Sequence, residues 1–276
     1  MERKFGFIGG GNMCRAIIGG MLKAGITKPG DILVSDKNPS GLEALKAEYG
    51  IEITDENCNT ASFADILILA VKPNVCPAVI AEIREAVRSE SVVVSIAAGL
   101  SLSVLMRYFK RDIPVIRVMP NTPAMAGEGM AAVCSNDLVS RIQMEDVLTV
   151  FRSFGRAEEV TESLFDVVTA VSGSSPAYVY LFIEAMADAA VAGGMMREQA
   201  YTFCAQAVAG SARMVLETGM HPGELKDMVC SPGGTTIDAV MELEERGMRS
   251  AVQNAVTDSI RKSKSMGKQT EDGLWA

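Results

Sequence analysis

The sequence predicts an α/β protein: a mostly parallel sheet in its first part and an all-helical second part. Three observations predict this. Short apolar runs of strand length alternate with helical segments up to about residue 160. The first of these runs feeds a glycine-rich turn and a helix. From Thr161 onward no strand pattern recurs. A division into domains 1–160 and 161–276 is therefore expected.

Lys4-Phe5-Gly6-Phe7-Ile8 is the first apolar strand, and Gly9-Gly10-Gly11-Asn12-Met13 is the turn after it. A helix carries Ala16, Ile17, Ile18 and Leu22, and Gly25 stops it. Ile32-Leu33-Val34 is the second strand, ending in Ser35-Asp36-Lys37. Strand, turn, helix and strand make a βαβ unit with a right-handed crossover. The spacing Gly9-x-Gly11-x-x-Cys14 fits the Rossmann dinucleotide fingerprint, with Cys14 where Gly or Ala is usual. Such a pattern alone is weak, and its place between a strand and a helix strengthens it.

Asp65 to Val71, Ser91 to Ile96 and Pro114 to Val118 are near-continuous apolar runs, as expected of strands buried on both faces. They end in Lys72-Pro73, Ala97-Ala98-Gly99 and Met119-Pro120-Asn121-Thr122-Pro123. Ligands bind outside the carboxyl ends of such strands, so these loops are expected to line one crevice with the first turn. Gly129 to Ser135 and Gly155 to Val160 read as further strands around a helix from Leu138 to Phe151.

In the second half, a helix from Leu164 to Val171 is expected to break at Ser172-Gly173-Ser174-Ser175-Pro176, with Ser174 or Ser175 capping the next one. That next helix is apolar or small on most faces, which marks a buried or interfacial helix. Helices over Glu198 to Glu217, Pro222 to Met228, after Thr236, and Met248 to Met266 complete the domain. So apolar a set of helices is expected to dimerise. The tail from Lys268 to Ala276 is expected to be mobile.

Composition narrows the function. The net charge of −8 comes without a basic stripe, which argues against nucleic acid as the partner. The longest apolar stretch is interrupted by Glu184 and Asp188, so no membrane span is expected. The N-terminus has no signal-peptide pattern, and a cytoplasmic location is expected. The six cysteines form no CxxC pair, and no His or acidic cluster completes a metal site. His221, the only histidine, stands beside Pro222 in a loop, a poor base for a hydrolase.

Ser231-Pro232-Gly233-Gly234-Thr235-Thr236 precedes a helix and has two readings. Either a threonine caps its own helix, or the helix N-terminus and two hydroxyls receive a small carboxylate. A dinucleotide fold without a placed acid favours a substrate that is already reactive. A protonated imine accepts hydride when it is merely held in position, whereas a ketone needs a general acid. Lys72 keeps the ketone open.

Five stretches occur in order: the first turn, Val71-Lys72-Pro73, Arg117 to Pro123, Val171 to Tyr178, and Ser231 to Thr236. Together they resemble the pyrroline-5-carboxylate reductase family over about Phe5 to Met266. The resemblance implies reduction of 1-pyrroline-5-carboxylate to L-proline by NADP(H), with NAD(H) as the alternative. It also implies a homodimer or a ring of dimers. On the same likeness, Gly9, Gly10, Gly11, Asn12 and Met13 hold the pyrophosphate, Ile8 before them also borders the cofactor, and Ser35 and Lys37 meet the adenosine ribose or its 2′-phosphate. Asn57, Ala70, Val71, Lys72, Pro73, Ala97, Ala98 and Gly99 line the crevice, and Met119, Pro120, Asn121 and Thr122 approach the nicotinamide. Ser231, Gly233, Gly234, Thr235 and Thr236 receive the substrate carboxylate, Glu162 lies near the substrate, and the catalytic hydroxyl is that of Thr236, bonding the ring nitrogen. Asp36 offers a ribose ligand typical of NAD enzymes. Two rivals stand beside this reading: a β-hydroxyacid dehydrogenase with Lys226 as its acid, and a nucleotide-binding regulator without catalysis.

Overall fold

The computed structural model describes residues 2–271. Chain contacts divide it into two compact units: one from the start of the chain to Ser174 together with Ser259 onward, the other Ser175–Asp258. The change from alternating strands to helices comes near Thr161, as expected, but the division by contacts falls later. The reason is Phe165, which is buried against Ala132 and Cys134 of the sheet and holds the first helical turns in the first unit.

The first unit is built on an eight-stranded sheet. Its strands are β1 (Phe5–Ile8), β2 (Ile32–Ser35), β3 (Glu52–Thr54), β4 (Ile66–Leu69), β5 (Val92–Ser95), β6 (Val115–Met119), β7 (Gly129–Ser135) and β8 (Gly155–Glu159). The order is β3-β2-β1-β4-β5-β6-β7-β8. All neighbours are parallel except β6 and β7. The first six therefore follow the dinucleotide-binding order, with the switch point between β1 and β4. Side chains alternate across the sheet. Phe5 and Phe7, with Ile66 and Ile68, enter one core. Ile8, with Leu67 and Leu69, enters the other.

Helices cover both faces, and their ends follow local chemistry. α1 is Asn12–Lys23. α2, Pro39–Tyr49, starts under an Asn38 side chain that accepts the Gly41 N–H and ends at left-handed Gly50. α3 (Asn57–Phe63), α4 (Cys76–Ile83) and α5 (Leu102–Phe109) follow. α6 spans Arg141–Arg152, starting later than Leu138 because Ser140 and Gln143 form a capping box.

Where β8 leaves the core, Gly155 has φ +151, and a Cβ there would lie 2.0 Å from the Gly129 carbonyl oxygen. Neither backbone can yield without breaking the β7–β8 pairing. Gly155→Ala is expected to cost about 3 kcal/mol. A melting curve should fall by roughly 5–10 °C; an unchanged midpoint would refute the close approach.

The expected break at Ser172–Pro176 is corrected. α7 (Phe165–Val168) passes through a π-helical segment, Thr169–Ser174, directly into α8, Ser175–Ala192. Pro176 has no N–H for the Ser172 carbonyl four residues back. The Asn121 side-chain amide donates to that carbonyl at 3.2 Å instead, and the wider π turn makes room for the ring.

The second unit holds all of α8, then α9 (Arg197–Thr218), α10 (Pro222–Val229), α11 (Thr235–Glu245) and the start of α12 (Met248–Glu271). α12 runs past the expected Met266, and the remainder of the Lys268–Ala276 tail lies outside the described residues. His221 caps α10, its Nδ1 accepting the Gly223 N–H at 3.0 Å, which gives the lone histidine a structural task. Among the described residues of this unit only Ala187 and Ala200 are buried, while Leu181 and Phe203 are each 67% exposed. No described helix is long and apolar enough to cross a membrane.

Candidate active site

In the first unit the loops at the carboxyl ends of β1, β2, β4, β5 and β6 carry the candidate cofactor residues. Gly9 sits at φ +106, and a Cβ there would lie 2.6 Å from the Ala70 carbonyl oxygen. Only glycine permits this approach of the β1 turn to the β4 loop. The Gly9 N–H donates to the Ser35 carbonyl at 2.8 Å, and Ala70 N–H to that of Ile8 at 2.8 Å. Gly11 is the N-cap of α1 without any side-chain cap, and a Cβ placed there meets nothing within 4 Å. The first amides of α1 thus have no intrahelical partner and border open space, a cradle that fits a pyrophosphate.

The likeness-derived residues separate into three kinds. Asn12, Lys37, Lys72 and Pro73 are exposed; Gly10, Met13, Ala70, Val71, Ala98 and Gly99 are half-buried. The Ile8 side chain is buried in the core, so Ile8 can act only through its backbone. Ser35 is also fully buried, and its hydroxyl donates to Asn57 Oδ1 at 2.8 Å. Asn57 in turn donates to Glu82 Oε2 at 3.0 Å. The Ser35 hydroxyl is thus occupied by Asn57 and lies inside the fold. Ala97 and Pro120 are buried, and Met119 is half-buried. The Asn121 side chain is spent on structure, donating to Ser172 and accepting the Met130 N–H at 2.8 Å.

Cys14 is fully buried among Phe7 and Ile17, so it packs where a smaller residue is usual. Burial pushes its thiol well above the ordinary range, and the Asp36 charge adds to the shift. Cys76 and Cys134 are pushed up to about 12, chiefly by burial. These thiols are protonated at neutral pH and serve as packing.

Glu162 belongs to the first unit. Its Oε1 accepts the Leu102 N–H at 2.7 Å and Arg117 Nη1 at 3.1 Å. The Arg117 guanidinium, nearly buried, lies 4.4 Å from the centre of the Phe165 ring. The carboxylate therefore neutralises a buried cation and anchors the start of α5.

The second unit holds the turn before α11. Gly233 has φ +66, and the Gly234 N–H donates to the Ser231 carbonyl at 3.1 Å. Gly234 is the N-cap, with no side-chain cap bond. The capping reading of Thr235 and Thr236 is thereby removed: they are the first two residues of the helix. Their hydroxyls and the first amides of α11 stand at one positive helix end. Lys226, the acid a hydroxyacid dehydrogenase would use, donates to Asp227 Oδ1 at 2.5 Å. That bond raises its pKa, the opposite of what a proton donor working near neutrality needs.

Sequence reasoning missed the two tasks of Asp36, described below, and the structural use of Asn121. No local pattern marks the Asp36–Gly10 bond or the Asn121–Ser172 bonds, since each joins residues far apart along the chain.

Two family profiles match the chain: "Pyrroline-5-carboxylate reductase dimerisation" over residues 162–266 and "NADP oxidoreductase coenzyme F420-dependent" over residues 4–99. A pyrroline-5-carboxylate reductase of Escherichia coli (strain K12) is 53% identical over 268 residues, 97% of this chain and 100% of that protein. The solved structure of a pyrroline-5-carboxylate reductase from Coxiella burnetii superposes with a TM-score of 0.90 at 32% identity, covering 96% of this chain and 99% of that one. The Plasmodium falciparum pyrroline carboxylate reductase, solved with NADP bound, gives 0.86 at 34% identity, covering 96% and 98%.

Proposed function

The chain belongs to the pyrroline-5-carboxylate reductase family, and on that premise we propose which of its residues perform the reaction. It is an oxidoreductase of proline biosynthesis that reduces C5 of 1-pyrroline-5-carboxylate to give L-proline. The likeness supports NADP(H) as its cofactor, with NAD(H) as the alternative. When bound, the reduced nicotinamide supplies a hydride.

The chain's own residues bind, orient and desolvate. The turn Gly9, Gly10, Gly11, Asn12 and Met13 receives the pyrophosphate, with the amides from Gly11 onward, at the N-terminus of α1, turned to it. Asn57, backed by Ser35, and Lys37 border the adenosine end. Ala70-Val71-Lys72-Pro73 and Ala97-Ala98-Gly99 form the crevice walls, and Met119, Pro120 and Asn121 set the nicotinamide end. In the second unit, Ser231, Gly233, Gly234 and Thr235 receive the substrate carboxylate, and the Thr236 hydroxyl bonds the ring nitrogen. Glu162 holds Arg117 and α5 in place near the substrate. The observation that carries the substrate half is that Gly234, not a threonine, caps α11, which leaves both hydroxyls for a ligand. No acid is asked of the chain, because a protonated imine needs only proximity and orientation.

The chain self-associates through its helical unit, as the dimerisation profile and the exposed apolar helices support. We propose domains 1–160 for the dinucleotide and 161–276 for substrate and dimerisation, rings built from dimers, and a cytoplasmic location. The charge of −8 supports a small molecule and not nucleic acid as the partner.

The decisive assay is NADPH oxidation followed optically with one candidate substrate at a time. Oxidation is expected with pyrroline-5-carboxylate, with L-proline as product. NADP+ reduction by 3-hydroxy acids alone would favour the dehydrogenase reading. Cofactor binding without turnover on any substrate would favour a regulator.

A further inference from the structure

We propose that Asp36 is the positioning residue of the dinucleotide turn and not a ligand of the cofactor's ribose. This rests on the cofactor reading above. An acidic residue after the second strand ordinarily serves the ribose diol and selects against a 2′-phosphate. Here Asp36 Oδ2 accepts the Gly10 N–H at 2.6 Å, and Oδ1 accepts the Asn38 N–H at 2.9 Å. The carboxylate thus ties the β1–α1 turn to the β2–α2 turn, each oxygen taking one backbone donor.

The surrounding geometry agrees. Gly9, one residue earlier, is fastened to the end of β2 through the Ser35 carbonyl. The two leading amides of the turn therefore face β2, and the ligand is left to those that follow, from Gly11 into α1. A Cβ on Gly10 would stand 2.9 Å from Leu45 Cδ1 and 3.6 Å from Asp36 Oδ2, so the turn is seated directly on α2 and on the carboxylate. Asp36 is only partly exposed. An anionic acceptor on a backbone N–H makes one of the stronger protein hydrogen bonds. Its removal slackens the turn for any dinucleotide, whether or not a 2′-phosphate is present.

The two roles differ in what Asp36→Ala does. A ribose ligand, once deleted, weakens NADH alone and relieves repulsion of NADPH. A positioning residue, once deleted, weakens both. Dissociation constants for NADH and NADPH, measured by fluorescence titration, are expected to rise about tenfold or more. Their ratio is expected to stay within about threefold of wild type. In the cofactor-free protein, the Gly10 amide is expected to lose hydrogen-exchange protection in Asp36→Ala and to keep part of it in Asp36→Asn, which retains one acceptor oxygen. A loss confined to NADH, or unchanged Gly10 protection, would overturn the proposal. Failure of wild-type protein to bind either dinucleotide would instead strike the cofactor reading, since the exchange measurement needs no ligand.

Discussion

Gly11→Val is expected to fold and to lose NADPH affinity by roughly a hundredfold or more, the worth of about two charge-assisted hydrogen bonds. The structure makes this variant unusually clean. Gly11 has φ −76 and ψ −173, an extended conformation that valine adopts readily. A Cβ there touches nothing within 4 Å, so the substitution costs little beyond a poorer N-cap, about 1 kcal/mol. The branched side chain then fills the open space against which the first amides of α1 stand. Titration with NADPH beside a melting curve separates the outcomes. Normal binding would mean that this space is not where the pyrophosphate lies; a collapsed melting curve would mean that the position is structural. Gly9 would make a poor substitute for this test, because its Cβ would strike the Ala70 carbonyl and damage the fold first.

Thr236→Ala is expected to lower kcat/KM for pyrroline-5-carboxylate by roughly a hundredfold, because the iminium N–H loses the hydroxyl oxygen that accepts it at the reacting centre. The dissociation constant for NADPH should change little. Because Gly234 caps α11 and no threonine side chain does, the helix should keep its stability, and the melting point should stay near that of the wild type. Thr236→Ser, which restores a hydroxyl, should recover most of the activity. Equal losses of turnover and cofactor affinity in Thr236→Ala would contradict the assigned role, as would an alanine variant as active as the serine one.

Much of the frame was legible in the residues. The run Phe5 to Ile8, the glycines after it and Ile32 to Val34 identified the βαβ unit, because buried parallel strands are unbroken apolar runs and the turn demands glycine. The turn before α11 was visible as a pattern but not as a choice: on local pattern alone, two threonines after two glycines read more readily as caps than as ligand groups. Only the observed N-cap at Gly234 separates the readings. β3 went unseen because three residues, Glu52–Thr54, with half-exposed side chains carry no periodic signal. That β7 runs antiparallel to β6 is a matter of partner choice, which no local pattern states. Pro176 signalled an ending, and the signal was sound locally. It was overridden from a distance by Asn121, whose amide accommodates the freed carbonyl. The Asp36 bond was out of sight for the same reason: its carboxylate reaches back to Gly10 across more than one element.

The scarcity of buried side chains in the second unit has a bearing on how the protein matures. Two alanines are not a core. The helices of that unit pack on one another, α8 against α9 above all, yet they leave most of their apolar side chains open until a second copy covers them. Formation of the finished enzyme is then second order in chain concentration, so scarcity of the chain delays assembly out of proportion to the shortfall itself.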